Sequence, residues 1–173
     1  AYIEFADRAS MAERAKNHDN LVVLRTLSKA HALAGARCGA AIASEAVIDV
    51  LSKVLPPYSF PTPVIETVTA ALSDDRLRDS SASVAAIVAE RERVAERLDG
   101  LNCVRQRWPS HSNFILARFD DLPAVIEFLF EKRILIRDFG DAAELKNCAR
   151  ITIGSPQEND ALLDALETYG SAN

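Results

Sequence analysis

The sequence predicts an α/β protein, and three observations carry that prediction. Short apolar runs of β-branched or small residues alternate with amphipathic helical stretches as far as Leu72. A long helical pattern, Asp74 to Leu98, follows. After Gly100 the order becomes strand, strand, helix, strand, strand, helix.

Val22-Val23-Leu24 is β-branched and apolar, which suits a buried strand, and it runs into a loop bearing Lys29. Cys38 to Ala43 is a second strand of small residues, consistent with tight sheet packing. Ser44 is placed to cap a helix whose Val47, Ile48, Leu51 and Val54 fall at helical spacing, and Pro56-Pro57 ends it. Thr62-Pro63 opens a further helix through Leu72, since proline is well tolerated in a first turn. The long helix presents Val84, Ile87, Val88, Arg91, Val94, Ala95 and Leu98 on one face. Glu90, Glu92, Arg93, Glu96 and Arg97 supply its solvated face. Beyond Gly100, Phe114 to Phe119 is the clearest strand. Leu122 to Lys132 is a helix, Ile134 to Arg137 and Arg150 to Ile153 are strands, and Pro156 to Tyr169 is the closing helix. This last stretch forms an α+β unit able to fold by itself.

Composition narrows the function classes. With 49% apolar and 26% charged residues the chain is ordinary globular material. A net charge of −5 and a pI near 5.2 argue against nucleic-acid or anionic-membrane partners. No apolar run approaches the roughly 20 residues of a membrane helix. Cys38, Cys103 and Cys148 are widely spaced and odd in number, as expected of reduced, mostly buried thiols in a cytoplasmic protein and not of disulfides or a zinc site. His18, His31 and His111 lie too far apart to suggest a metal site.

The chemistry concentrates in Leu24 to Gly39. There Thr26, Ser28, Lys29 and Arg37 form a set suited to a phosphorylated aldehyde: the amine can condense with the aldehyde, while hydroxyls and a guanidinium take the phosphate. A surface lysine after a strand, with Arg37 as a solvent or capping residue, is the plainer alternative. Arg150 opens an otherwise apolar strand and needs an anionic partner, which a substrate carboxylate could supply. Arg137 also follows an apolar run, with Asp138 as a local salt-bridge partner.

Six blocks in order carry a family resemblance: Ala1 to Phe5, the lysine block Leu24 to Gly39, Pro57-Tyr58 with Thr62-Pro63-Val64, Ser112 to Phe119, Ile134 to Asp138, and Ala149 to Gly154. Over nearly its whole length the chain resembles the C-terminal half of the histidinol-phosphate aminotransferases, fold-type I, class II-like enzymes dependent on pyridoxal 5′-phosphate. The resemblance implies the end of a large cofactor-binding domain at residues 1–74, an interdomain helix at 75–99 and a small α+β domain at 100–173. It assigns Lys29 as the catalytic lysine holding the cofactor aldehyde and shuttling a proton. Arg37, Thr26 and Ser28 become phosphate ligands, and Tyr2 the hydrogen-bond partner of the cofactor ring oxygen, where the residues alone leave Tyr2 as a core tyrosine. Arg150 would grip the substrate α-carboxylate and Arg137 the phosphate of histidinol phosphate. The implied partners are small amino-acid and 2-oxo-acid substrates, and the implied assembly of the full-length enzyme is a homodimer.

Sister activities stay open, namely an aromatic aminotransferase or a threonine-phosphate decarboxylase. So does a catalytically silent folded piece. Beginning at Ala1 inside a signature, the chain is expected to lack the N-terminal half, including the aspartate that pairs with the cofactor's ring nitrogen. His31 replaces an aromatic found in many relatives, a change expected to be tolerated. Up to Leu72 the chain has only two strands and is expected to be ordered only through contacts it does not encode.

Overall fold

The computed structural model describes residues 1–15, 17–139 and 142–172. It divides into two units, Ala1–Val84 and Ala85–Asn173, the division falling inside a helix.

The first unit opens with a 3₁₀ turn, Ile3–Phe5, and a short helix α1, Ala12–Ala15. Strands β1 (Val23–Thr26) and β2 (Gly39–Ile42) form an antiparallel pair in which Val23 faces Ile42 and Thr26 faces Gly39. Gly39 is required here by close approach: a Cβ on it would lie 2.6 Å from the Arg25 carbonyl oxygen. Helices α2 (Glu45–Val54) and α3 (Thr62–Ala71) follow, then the start of α4 (Asp74–Asp99). Ser44 takes the extended N-cap conformation, but the expected capping bond is not made and its buried hydroxyl has no partner. Among the described residues of this unit only Phe5 and Ala15 are buried.

The second unit holds the rest of α4 and a sheet in the order β3-β4-β6-β5, antiparallel throughout: β3 (Val104–Arg107), β4 (Phe114–Phe119), β5 (Arg137–Asp138) and β6 (Cys148–Thr152). Alternation along β4 sends Ile115, Ala117 and Phe119 into the core and leaves Phe114, Leu116 and Arg118 on the opposite face. The buried row packs with Val94 and Leu98 of α4, Val125 and Leu129 of α5 (Leu122–Glu131), and Leu163 and Leu166 of α6 (Pro156–Ala172). Asp121 caps α5 by accepting the Ala124 N–H at 3.2 Å.

Two strands differ from expectation. Ile134–Ile136 does not join the ladder, because Arg133 turns the chain with φ of 59° and the Ile134 N–H bonds back to the Leu129 carbonyl at 2.9 Å. Leu135 is left 78% exposed, and pairing begins only at Arg137. The last strand starts two residues before Arg150 because Cys148 and Ala149 find partners in Arg118 and Ala117 of β4. No described helix is long and apolar enough to cross a membrane.

Candidate active site

The lysine loop is closed by backbone bonds before any side chain acts. Beyond the β1–β2 ladder, the Leu27 N–H donates to the Cys38 carbonyl at 3.1 Å, and the Leu33 N–H donates to the Leu27 carbonyl at 3.1 Å. The Ala32 N–H returns to the Lys29 carbonyl at 3.1 Å, with Ala32 in the left-handed region at φ of 54°.

Within this closed loop the Thr26 hydroxyl accepts the Ser28 N–H at 3.1 Å and donates to the Ser28 hydroxyl at 2.9 Å, bringing the two hydroxyls together. Lys29 is exposed, and its Nζ lies 5.9 Å from the Tyr2 ring centroid, within cation–π range. Arg37, left-handed at φ of 51°, ends the 3₁₀ turn Ala34–Ala36 and donates from Nη1 to the Ala34 carbonyl at 3.0 Å. Tyr2 and Lys29 are therefore together, Thr26 and Ser28 are together, and Arg37 stands on the returning arm of the same loop.

An ion pair that the sequence did not single out ties the turn following Tyr2 to β1. Arg25, next to Thr26, pairs with Glu4 at 2.5 Å and donates to the Ser10 hydroxyl at 3.3 Å, tying the N-terminal turn to β1. Both side chains are half-buried, where a pair of this kind fixes geometry more than it adds stability. His31 lines an open cavity with Thr67, Arg76 and Asp79, and its Nδ1 is buried without a partner.

Arg137 and Arg150 lie in the second unit, directly opposite each other on β5 and β6. Residues opposite in an antiparallel pair share a face, so the two arginine side chains leave the sheet on the same side. That arrangement costs energy unless an anion joins them. No ion pair links Arg137 to Asp138 among the described residues, where the sequence had suggested one. Arg150 lies over the Phe114 ring, its guanidinium carbon 5.3 Å from the centroid, and its Nε is buried with no partner. Phe114 is a site neighbour missed in the sequence, because its pairing with Arg150 depends on strand register.

Beyond β6 the chain is pinned. Asn159, buried, accepts the Gly154 N–H at 2.9 Å and donates to the Gly154 carbonyl at 3.1 Å and to Glu90 at 2.9 Å. Bonds from Arg93 first and Asn159 second hold the Glu90 carboxyl below its usual range. The Ser155 N–H, then its hydroxyl, does the same for Glu158. No cluster of three or more His, Cys, Asp or Glu suited to a metal ion occurs among the described residues.

Residues 1–166 match the family described as aminotransferase class I and II. A histidinol-phosphate aminotransferase of Shigella flexneri is 44% identical over 96% of this chain and 47% of that relative. The crystal structure of the histidinol-phosphate aminotransferase from Clostridium acetobutylicum superposes with a TM-score of 0.88 at 22% identity, covering 100% of this chain and 53% of that one, which shows the same fold. The histidinol-phosphate aminotransferase of Sinorhizobium meliloti, solved in complex with pyridoxal-5′-phosphate, gives a TM-score of 0.78 at 28% identity over 99% of this chain and 47% of that one. The chain thus spans about half the length of the relatives it matches.

Proposed function

The chain belongs to the aminotransferase class I and II family, and on that footing we propose that it carries the lysine-bearing part of the active site of a pyridoxal 5′-phosphate enzyme. The proposed reaction moves an amino group between histidinol phosphate and 2-oxoglutarate. One observation carries this reading: an exposed lysine, two hydroxyls in mutual contact and an arginine are presented by one loop closed on its own backbone.

Those residues fit the cofactor's chemistry. An amine is available for its aldehyde, and hydroxyl and guanidinium donors are available for its phosphate. When bound, the cofactor supplies a ring that takes up the charge released at the substrate Cα. Lys29 Nζ would hold the cofactor through its aldehyde and, once the substrate's amino group has taken its place there, the freed amine would move the proton to and from that Cα. Arg37 keeps most of its donors after the single bond from Nη1 to Ala34 and, with Thr26 and Ser28, binds the phosphate. Tyr2 hydrogen-bonds the ring oxygen. Arg150 takes the substrate carboxylate in a bidentate pair, and Arg137 takes the substrate's own phosphate. The active enzyme is a cytoplasmic homodimer in this proposal.

The test uses the complete enzyme. Lys29→Ala is expected to lose the visible absorbance of covalently held cofactor and at least about 10²–10⁴-fold in turnover, the worth of a positioned acid–base group. Turnover within about tenfold of the parent would sink the assignment. A substrate panel then separates the sister activities. Efficient use of unphosphorylated aromatic amino acids, or release of CO₂ from threonine phosphate, would reassign the substrate and remove the role given to Arg137.

A further inference from the structure

We propose that Phe114 is a positioning residue for Arg150, fixing the plane in which its guanidinium meets a carboxylate; this rests on Arg150 being the carboxylate ligand. On β6, Arg150 faces Leu116 of β4 on one side and Arg137 of β5 on the other. The like charge of Arg137 gives the Arg150 head no attractive partner in that direction. Phe114 pairs with Thr152 and is therefore a diagonal neighbour of Arg150 on the same sheet face, within reach of a long side chain. Its ring lies under the guanidinium at 5.3 Å. A guanidinium over a ring face keeps its in-plane donors at the edge, where a carboxylate can meet them. The buried, unpartnered Nε of Arg150 makes the ring its most evident support.

The ring is itself anchored at its root. The Phe114 carbonyl accepts from the Ser110 hydroxyl at 2.5 Å and from the Ser112 hydroxyl at 3.2 Å, and the Ser112 N–H donates to the Ser110 hydroxyl at 3.1 Å. The Ser112 carbonyl in turn accepts from Nη1 of Arg91 at 3.0 Å, and Arg91 is only 5% exposed. A helix, a serine bracket and an aromatic ring thus converge on the orientation of one guanidinium. The sequence holds no local sign of this, since 36 positions separate Phe114 from Arg150 (150 − 114).

The experiment measures binding of glutarate, an unreactive dicarboxylate, to the complete cofactor-loaded enzyme by calorimetry, with kcat and KM for the amino donor alongside. Phe114→Leu should weaken glutarate roughly tenfold and raise KM more than it lowers kcat, while Phe114→Tyr stays within about threefold of the parent. Should the leucine variant fail to fold, Phe114→Met, also ringless, takes its place with the same expected loss. If the ringless variant binds like the parent while Arg150→Lys binds weakly, the positioning role falls and the carboxylate ligand stands. If Arg150→Lys also binds like the parent, both fall. Equal losses for Phe114→Tyr and Phe114→Leu would show that side-chain packing, and not the ring face, sets the affinity, and would overturn the proposal.

Discussion

Up to Val84 the chain buries almost nothing of its own, whereas the residues after it enclose a continuous core. In the first unit Leu24 is 70% exposed, Val54 74% and Tyr58 98%, and the described residues bury only Phe5 and Ala15. In the second, side chains from three helices and the sheet reach complete burial, Leu98, Val125, Leu163 and Leu166 among them. Each such side chain is worth about 1.5–3 kcal/mol of transfer free energy. The lysine loop is therefore shaped by local backbone bonds and one ion pair. The two arginines are instead placed by sheet register with a packed core behind it. Chemistry at Lys29 therefore depends on a loop with little buried apolar support behind it among the described residues.

The largest test of that contrast is amide exchange on the 173-residue chain by itself. Amides before Leu72 should exchange quickly, within a few kcal/mol of open. Those of β4, β6 and α6 should be protected up to the global unfolding free energy, a difference of orders of magnitude in rate. Uniform strong protection of both units in a proven monomer would show that the first is stable without further contacts.

A pair of matched truncations comes next. Leu166→Ala removes a fully buried side chain from the second core and should cost about 2–5 kcal/mol in chemical denaturation. Leu24→Ala, at a 70% exposed position of β1, should change the same transition by less than about 0.5 kcal/mol. Comparable losses would mean that Leu24 is covered in solution by something that the chain's own fold does not supply.

What could be read from the sequence divides along the same line. Helices α2, α4 and α5 were legible because each carries its own apolar periodicity, and α3 because Thr62-Pro63 marks its start, whereas the closing helix α6 runs past the expected Tyr169 to Ala172. The site residues of the lysine loop were legible because they are neighbours in sequence, so their chemistry is visible before the fold is known. Strand ends were not. Ile134–Ile136 reads as a strand by composition, yet the left-handed turn at Arg133 and the bond from the Ile134 N–H back to Leu129 keep it out of the ladder, and neither shows in the run itself. The Phe114–Arg150 contact and the Glu4–Arg25 pair were hidden for the same reason, since each joins residues brought together only by register or chain reversal. Ser44 shows the converse: a favourable capping residue in the right place makes no capping bond.

The smallest expected effect concerns the polar clamp behind β6. Glu90 binds Arg93 and Asn159, and Asn159 holds both backbone groups of Gly154 just past the strand that carries Arg150. Because these bonds favour the ionised carboxylate, the folded pKa lies below the ordinary 4.5. A group with a depressed folded pKa contributes stability above its unfolded value and loses that contribution as pH falls through the folded one. Glu90→Gln keeps an oxygen acceptor for Asn159 but no charge. The parent should therefore exceed the variant by a constant margin, under about 1 kcal/mol for a pair so near solvent, at every pH above 4.5. Below that pH the margin should shrink toward zero. Denaturation curves of both proteins between neutral and acid pH measure it directly. A margin that persists unchanged in acid would mean that hydrogen-bond geometry, and not the charge on Glu90, holds the end of β6 to α4.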